Sequence, residues 1–413
     1  MKAEIITIGD ELLIGQTIDT NSAWMGAELS RIGFEVTQIT SISDKKDQII
    51  NTLKGKVGNS DVVLITGGLG PTSDDITKQT LCEFFETRLV FNEEVFRGIE
   101  KMMLRRNFPM KENNCRQAEV PETCMVLSNA TGTAPGMWFE RGGTIFISMP
   151  GVPYEMQHIM TEHVMPELKK RFTRQHIIHR NIMTYGTSEA RLAEILTDFE
   201  AGIPTNIRLA YLPSSGIIKL RLTGTGNDKI KLSEAIEYQV SKLYNIIPEF
   251  IYAENEESLE MVVGRLLKNK GQSVCFAESC TGGEISHLIT SVPGSSAYFK
   301  GSIIAYDNFV KSELLNVKED VISKYGAVSK ETVEMMATGA RKLLRTDYAI
   351  ATSGIAGPEG GTEEKPVGTI WVAVSSEEKT ITEKYTFGND RVINIKRFSY
   401  AALNLLRKQI INK

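Results

Sequence analysis

Short apolar runs of strand length, each followed by a glycine-rich turn and then a helical pattern, occur in the first and the last thirds of the chain. The run Val62 to Thr66 leads into Gly67-Gly68-Leu69-Gly70, and Ser273 to Ala277 leads into a turn that ends at Gly283. This order of strand, turn and helix is the repeating unit of a doubly wound α/β sheet. Ligands of such sheets bind at the carboxyl edge of the strands, so both turns are candidate sites.

The 413 residues are too many for one ordinary core and indicate two or three domains. We predict an N-terminal doubly wound α/β domain over residues 1–170, a small α+β middle domain over 171–250 and a C-terminal α/β domain over 255–413. An alternating strand, Gly216 to Thr223, and a helical stretch, Lys229 to Leu243, indicate the middle domain. It has no Gly-x-x-Gly clamp of the RNA-binding kind, so we interpret it as a spacer or dimer element.

Composition argues against several classes of function. A hydrophobic fraction of 41% and a charged fraction of 24% are typical of a soluble globular protein. The stretch Met1 to Asp10 breaks too soon to be a secretory signal, and no long apolar run follows, so we expect a cytoplasmic protein without membrane contact. A net charge of −4 argues against nucleic acid as a partner. Five cysteines without paired metal spacing indicate reduced thiols.

The turn Phe276-Ala277-Glu278-Ser279-Cys280-Thr281-Gly282-Gly283 places a hydroxyl and a thiol between a buried strand and a helix that begins near Glu284. Such a turn exposes its side chains and directs backbone N–H groups at a bound group. Ser279 is our candidate nucleophile. Cys280 is a rival, but the only nearby histidine is His287 and buried reduced cysteines are usually inert, so we rank Ser279 first.

The next predicted strand, Ser302 to Tyr306, is followed by a candidate base. A serine hydroxyl is protonated near neutral pH and must be activated, for example by a lysine of lowered pKa. With Asn308 as N-cap, Lys311 falls in the first helical turn, where the helix dipole disfavours an ammonium. This favours a neutral, basic lysine. The ordinary alternatives are a helix cap for Ser279, the end of a core strand for Tyr306 and a solvated charge for Lys311.

The N-terminal glycine cluster predicts a phosphate site with a metal. Glycines let backbone amides approach an anion closely, and carboxylates bind hard cations. The predicted residues are Gly67, Gly68, Gly70 and Thr72 for the anion, and Asp74 and Asp75 for Mg²⁺, Mn²⁺ or Co²⁺. Loops at residues 9–15, 129–136 and 149–156 are expected at the same edge. Core packing is the preferred role of Met149 and Met156, and solvation that of Asp44.

These motifs resemble the CinA family over nearly the whole chain and in the same order. Thr66 to Asp75 is similar to that family's Thr-Gly-Gly-Leu-Gly-Pro-Thr-x-Asp-Asp loop, and Ala277 to Gly283 and Ser353 to Pro358 are similar to its C-terminal amidase motifs. The resemblance implies an N-terminal molybdopterin-binding-like fold, which in some relatives hydrolyses ADP-ribose with a divalent metal. It also implies a C-terminal amidohydrolase acting on nicotinamide mononucleotide, and a homodimer.

Carried over by position, the resemblance implies Ser279 as nucleophile, Lys311 as its base and Tyr306 as a partner in the proton relay, with no cofactor at this site. We expect the amides near Gly282 and Gly283 to stabilise the oxyanion. The expected anchors of the substrate's 5′-phosphate are Ser353, Gly354, Gly357 and Arg391. A surface charge at a helix start is an equally weighted role for Arg391.

The leading hypothesis is therefore an enzyme of pyridine-nucleotide salvage with two sites. One site would deamidate nicotinamide mononucleotide without a metal, and the other would hydrolyse ADP-ribose to AMP and ribose 5-phosphate with one. The alternative is a regulatory protein of competence or DNA-damage response that binds a nucleotide or a pterin without turnover.

Overall fold

A computed structural model describes residues 1–72, 75–110, 112–172, 176–214 and 216–411. The chain divides into two units, of which the first comprises Met1–Ile178 with Gly224–Ser233 and the second His179–Thr223 with Glu234–Lys413. Most of the predicted middle domain thus belongs to the second unit. Within the described residues, no helix combines the length and the apolar character needed to cross a bilayer.

The N-terminal part of the chain alternates strands and helices up to Arg171. Its elements are β1 (Lys2–Ile8), α1 (Asp10–Leu13), α2 (Thr20–Arg31), β2 (Glu35–Ile42), α3 (Lys46–Lys54), β3 (Val62–Thr66), α4 (Thr77–Phe84), β4 (Leu89–Phe91), α5 (Glu93–Arg105), α6 (Glu112–Gln117), β5 (Glu119–Pro121), β6 (Met125–Leu127), β7 (Gly136–Arg141), β8 (Thr144–Met149), α7 (Pro153–Ile159) and α8 (Met165–Arg171). A π-helical turn, Met160–Val164, joins α7 to α8.

Six of these strands form one sheet in the order β2-β1-β3-β8-β7-β6. β1 is parallel to β2 and β3, and β3 is parallel to β8, whereas β7 and β6 are added antiparallel. Alternate residues of β3 enter different cores: Leu64 shares one cluster with Met25 of α2, and Ile65 shares another with Leu81 of α4. Helices therefore cover both faces, which confirms the doubly wound prediction.

The rest of the chain contains two further sheets. Its elements are β9 (His176–Tyr185), α9 (Glu189–Ile195), α10 (Thr197–Ala201), β10 (Ile207–Ser214), β11 (Ile217–Gly226), α11 (Lys229–Ile246), β12 (Ile251–Glu254), α12 (Leu259–Lys270), β13 (Val274–Glu278), α13 (Glu284–Thr290), β14 (Phe299–Ile304), α14 (Asn308–Leu315), α15 (Glu319–Tyr325), α16 (Lys330–Leu344), β15 (Tyr348–Gly354), β16 (Thr369–Ser375), β17 (Thr380–Thr386) and α17 (Arg391–Ile411).

The four-stranded sheet has the order β10-β11-β9-β12, and the five-stranded sheet has the order β14-β13-β15-β16-β17. β13 lies between β14 and β15 and is parallel to both, while β16 and β17 are antiparallel additions. Phe276 of β13 packs in one core with Leu403 of α17, and Ala277 packs in the opposite core with Met336 of α16. The loops after β13 and β14 therefore emerge at the same edge.

One predicted strand is displaced in the structure, and an edge strand of the same sheet has no counterpart in the prediction. The run Ser302 to Tyr306 is displaced, because β14 ends at Ile304 and leaves Tyr306 in the following loop, so the alternative of a core strand end for Tyr306 is wrong. β17 was not predicted. Its sequence Thr-Ile-Thr-Glu-Lys-Tyr-Thr forms the edge strand of its sheet and has no fully buried residue, which weakens the apolar signal.

Candidate functional site

Ser279 follows the last residue of β13 directly, as predicted for a strand-to-helix turn. Its amide donates to Thr352 O at 3.1 Å, which extends the pairing of β13 with β15 by one residue. Gly282 and Gly283 have φ values of +61° and +105°, in the left-handed region that residues with a Cβ rarely adopt. The two glycines therefore reverse the chain so that α13 can begin at Glu284.

A cavity of about 200 Å³ lies beside this turn. Its lining includes the three predicted catalytic residues and four of the predicted binding or rival residues: Ser279, Tyr306, Lys311, Cys280, Ser353, Gly354 and Arg391. They come from the turn after β13, the loop after β14, the start of α14, β15 and the start of α17, so residues more than a hundred positions apart in sequence share one site. The sequence-predicted cluster therefore exists as a cluster in space.

Lys311 is buried in this site, with 1% of its surface exposed. Its Nζ donates a hydrogen bond to Tyr306 O at 3.0 Å. Burial lowers the pKa of Lys311, and the nearby Asp307 opposes this shift. The N-cap of α14 is Asp307, one residue before the predicted Asn308, because the Asp307 side chain accepts a hydrogen bond from the Phe309 amide at 2.8 Å. Lys311 nevertheless lies near the N-terminal end of α14, where the helix dipole disfavours an ammonium.

Tyr306 joins Lys311 to Arg391 through two different groups. Its carbonyl oxygen accepts from Lys311, and its phenol oxygen accepts from Arg391 Nη2 at 3.2 Å. A second guanidinium nitrogen, Nη1, donates to Gly357 O at 2.8 Å. Arg391 is thus held at the cavity by two oxygens. The relay of protons through the Tyr306 phenol stays a prediction, since the contact between Tyr306 and Lys311 uses the backbone.

Cys280 is buried beside Ser279. Burial, with a smaller contribution from Glu278, raises the pKa of the Cys280 thiol to about 12. A thiol of such high pKa supplies almost no thiolate near neutral pH, and the thiolate is the nucleophilic form. The geometry therefore favours Ser279 over its rival.

The predicted oxyanion donors are corrected. The Gly283 amide donates to Glu278 Oε2 at 2.9 Å, and the Gly282 amide donates to Ser279 O at 3.1 Å, so both N–H groups are already used inside the turn. Among the described residues, the Thr281 amide has no protein acceptor and the Cys280 amide has none beyond its own thiol. These two amides are the available donors of the turn.

The predicted phosphate anchors are also corrected in part. The Ser353 hydroxyl donates to Ala327 O at 2.7 Å, so its hydrogen is not available to a phosphate oxygen. Gly354 has a packing role, because an added Cβ would lie 2.6 Å from Thr369 O. Gly357 offers its carbonyl to Arg391. Arg391 retains guanidinium N–H groups suited to an anion.

The N-terminal glycine cluster follows β3 as predicted. Gly67 and Gly68 have φ values of +114° and +65°, and a Cβ at Gly67 would lie 2.1 Å from Ile8 O, so the loop passes directly against the end of β1. A Cβ at Gly70 would meet the Asp75 carboxylate at 2.4 Å. Asp75 Oδ2 accepts from the amide of Thr72 at 3.0 Å. Asp74 lies outside the described residues.

The expected gathering of loops at this edge is observed. Asn21 of α2 donates from Nδ2 to Gly151 O at 2.7 Å and to Thr66 Oγ1 at 3.3 Å, which ties the loop after β8 to the end of β3. Met149 and Met156 are buried in the core, as preferred from the sequence. Asn21 was missed, although its position at a helix start after the first loop was a usable signal.

Asp44 was also missed, since the sequence favoured a solvated role. The structure places it at the same edge, where Oδ2 accepts from the Asp10 amide at 3.2 Å. Burial raises the pKa of Asp44, and the carboxylates of Glu11, Asp10 and Asp75 raise it further. Crowded carboxylates are a donor set suited to a hard cation.

The described residues do not include a set of three metal ligands in position. Mg²⁺ in phosphate-transferring sites is often bound by one or two carboxylates together with phosphate oxygens and water. Asp75 and Asp44 fit that limited role. The metal itself remains an expectation.

Family models match three consecutive parts of the chain. A "Probable molybdopterin binding domain" matches residues 4–170, a "Damage-inducible protein CinA KH domain" matches 179–253 and a "CinA C-terminal domain" matches 256–410. The sequence interpretation of the middle region as a spacer or dimer element did not include a KH domain.

Similar proteins match over nearly their full length. A "CinA-like protein" of Cytophaga hutchinsonii is 48% identical over 408 residues, which cover 99% of this chain and 98% of the relative. A "CinA-like protein" of Flavobacterium psychrophilum is 45% identical over 415 residues, which cover 100% of this chain and 99% of the relative. The crystal structure of competence/damage inducible protein CihA from Agrobacterium tumefaciens is 33% identical, covers 38% of this chain and 94% of that chain, and has a TM-score of 0.36.

Proposed function

The chain belongs to the CinA family, and from that membership we propose that its C-terminal domain hydrolyses the carboxamide of nicotinamide mononucleotide. The observation that carries this proposal is the buried Lys311, whose pKa is lowered, in the same small cavity as Ser279. A hydroxyl with a neutral amine base is the minimal equipment of a serine amidase.

In the proposed reaction, Ser279 Oγ attacks the carboxamide carbon while the neutral amine of Lys311 accepts the hydroxyl proton. The C–N bond then breaks, and Lys311 returns that proton to the leaving nitrogen, which departs as ammonia. Water attacks the resulting ester with Lys311 again as base. The acyl C–O bond breaks, Ser279 regains its proton, and nicotinate mononucleotide is released.

The oxyanion of the tetrahedral intermediate needs donors that are free in the resting enzyme. We assign this role to the Thr281 and Cys280 amides, because the Gly282 and Gly283 amides are occupied by Ser279 O and Glu278. The assignment keeps the oxyanion next to the residue that forms the ester.

Cavity size supports recognition of one end of the nucleotide. Pockets for whole drug-sized ligands are usually about 300–1,000 Å³, whereas this cavity measures about 200 Å³. The nicotinamide ring would occupy it, and the ribose and phosphate would extend outward. Arg391 is the proposed phosphate partner, since a guanidinium binds phosphate through two parallel hydrogen bonds.

Ammonia release from nicotinamide mononucleotide tests this function. The wild type should release ammonia, and Ser279→Ala and Lys311→Ala should each lower the rate by ~10²-fold or more. Cys280→Ala is the matched control and should remain active. A wild type that binds the nucleotide without releasing ammonia would favour the regulatory alternative.

For the N-terminal domain, the specific observation is the group of carboxylates that raises the pKa of Asp44 beside the glycine loop. We propose that this domain hydrolyses ADP-ribose to AMP and ribose 5-phosphate. The Gly68 and Gly70 amides would bind the pyrophosphate, since the Gly67 amide already donates to Met149 O at 3.1 Å, and Asp75 would help to hold a divalent cation. When bound, such a cation would neutralise charge on the pyrophosphate oxygens.

AMP formation from ADP-ribose with added Mg²⁺, Mn²⁺ or Co²⁺ tests this second activity. Asp75→Ala should abolish it, whereas Asp47→Ala, which removes an exposed acid from the first turn of α3, should not. Equal activity in both variants would remove Asp75 from the site.

The assembly and the cellular setting are further proposals. We propose a cytoplasmic homodimer that acts on these nucleotides and does not bind nucleic acid, since the middle domain has no Gly-x-x-Gly clamp. Sedimentation should give twice the mass of the chain. A salt-dependent shift of single-stranded RNA would contradict the expected absence of nucleic-acid binding.

A further inference from the structure

Glu278 is the residue immediately before Ser279, and its side chain is 0% exposed. Four donors converge on its carboxylate. Oε2 accepts from the amides of Gly283 at 2.9 Å and Ile285 at 3.1 Å, and Oε1 accepts from the Ser286 amide at 2.9 Å and the Ser286 hydroxyl at 2.6 Å. The side chain therefore binds both the turn and the first residues of α13.

This set of contacts requires a carboxylate. Its two oxygens are acceptors with about four lone-pair sites, and each of the four is matched by one donor. A carboxamide of the same shape would replace one oxygen by an NH₂ group, which would then face two donors. Glutamine is therefore a near-isosteric residue that cannot make the same bonds.

The hydrogen bonds of the Glu278 carboxylate fix both ends of the turn between β13 and α13. The strand β13 ends at Glu278, and the first turn of α13 is attached to that same residue, so the segment between them has both ends fixed. The bond from the Gly282 amide to Ser279 O completes the closure. Ser279 and Cys280 lie on this fixed segment and line the cavity.

Resting on the proposed amidase function, we propose that Glu278 is a positioning residue for Ser279. The Glu278 carboxylate accepts from the Gly283 amide, and this bond fixes the turn so that Ser279 is held at the cavity. The amides of Cys280 and Thr281, which precede Gly282, are then the donors to the oxyanion. The carboxylate also occupies the first free amides of α13, so the substrate's phosphate binds elsewhere.

The test compares Glu278→Gln and Ser286→Ala with Thr290→Ala. Thr290 lies on the same helix, but its hydroxyl bonds to Ser286 O and His287 O and does not contact Glu278, so its loss is the matched control. Glu278→Gln should lower kcat for ammonia release ~10- to 100-fold with KM changed less than roughly threefold, because binding is kept and the nucleophile is misplaced.

Ser286→Ala removes one of the four contacts and should give a smaller loss of kcat in a protein of nearly wild-type thermal stability. If Glu278→Gln does not fold, Ser286→Ala tests the positioning role of Glu278 in its place. Wild-type kcat in folded Glu278→Gln, or a loss in Thr290→Ala equal to that in Ser286→Ala, would overturn the positioning role.

A second readout does not depend on amidase activity. Alkylation of the buried Cys280, followed by peptide mass spectrometry, should become at least ~10-fold faster in Glu278→Gln and in Ser286→Ala when the turn loosens. If the wild type releases no ammonia, the proposed function fails, and this rate alone tests whether Glu278 holds the turn. An unchanged rate would then contradict the inference.

Discussion

The Nζ atom of Lys311 is 3.0 Å from the carbonyl oxygen of Tyr306, and the residue is 1% exposed. Among the described residues no carboxylate forms an ion pair with it. A single carbonyl is weak compensation for a buried charge, so burial lowers the pKa of Lys311. This relationship makes Lys311 suited to be a base.

The lowered pKa of Lys311 predicts an acid limb in the pH profile. The value of kcat/KM should rise with pH through the pKa of the free enzyme's base and then level off, because only the neutral amine accepts the Ser279 proton. Lys311→Arg should lose activity at every pH, since arginine stays protonated. A wild-type kcat/KM that falls as the pH rises through the near-neutral range, roughly 6 to 8, would contradict this role.

The same shift has a consequence for stability. Because the folded state lowers the pKa of Lys311, the unfolded state binds more protons at pH values between the two pKa values. The free energy of unfolding should therefore rise with pH between the two pKa values. Below the lower pKa, the full cost of burying the protonated amine is present. Lys311→Met should raise the free energy of unfolding near neutral pH, by about 1.4 kcal/mol for each tenfold change in proton affinity.

Urea denaturation of the two proteins from roughly pH 6 to pH 11 measures this effect, because the pKa of lysine in an unfolded chain is about 10.4. The difference between Lys311→Met and the wild type should shrink as pH increases. A difference that stays constant with pH, or that grows in favour of Lys311→Met as pH increases, would show that the fold does not lower the pKa of Lys311.

Arg391 should determine affinity for the phosphate. Arg391→Ala should raise KM for nicotinamide mononucleotide by ~10-fold or more, and have much less effect with nicotinamide riboside, which has no phosphate. Lys396→Ala removes an exposed positive charge from the same helix and is the control. Equal losses with both substrates would indicate that Arg391 acts through Tyr306 and Gly357 instead.

Gly67→Ala should disturb the N-terminal loop. The new Cβ would lie 2.1 Å from Ile8 O at a φ of +114°, so we expect a loss of about 1–3 kcal/mol in the stability of the first unit. Gly15→Ala is the control, because its φ is also positive at +73° but nothing lies within 4 Å of the added Cβ. Denaturation followed by Trp24 and Trp138 fluorescence compares them, and equal losses would refute a steric cause.

Local sequence predicted the elements that carry the sites better than it predicted their hydrogen bonds. The run Val62 to Thr66 coincides with β3, because all five of its residues are buried. The partners of the Gly283 amide and the Ser353 hydroxyl, Glu278 and Ala327, could not be predicted, because they depend on side-chain direction and on the folded chain. Asp44 was missed for the same reason, since only the sheet brings it to Asp75.

The most direct test of the amidase is the covalent intermediate. Wild-type protein mixed with nicotinamide mononucleotide, quenched within the first turnover and digested, should yield the peptide containing Ser279 with a nicotinate mononucleotide ester on that serine. The adduct should be absent from Ser279→Ala. Turnover with the adduct on Cys280, or turnover that persists in Ser279→Ala, would contradict the account.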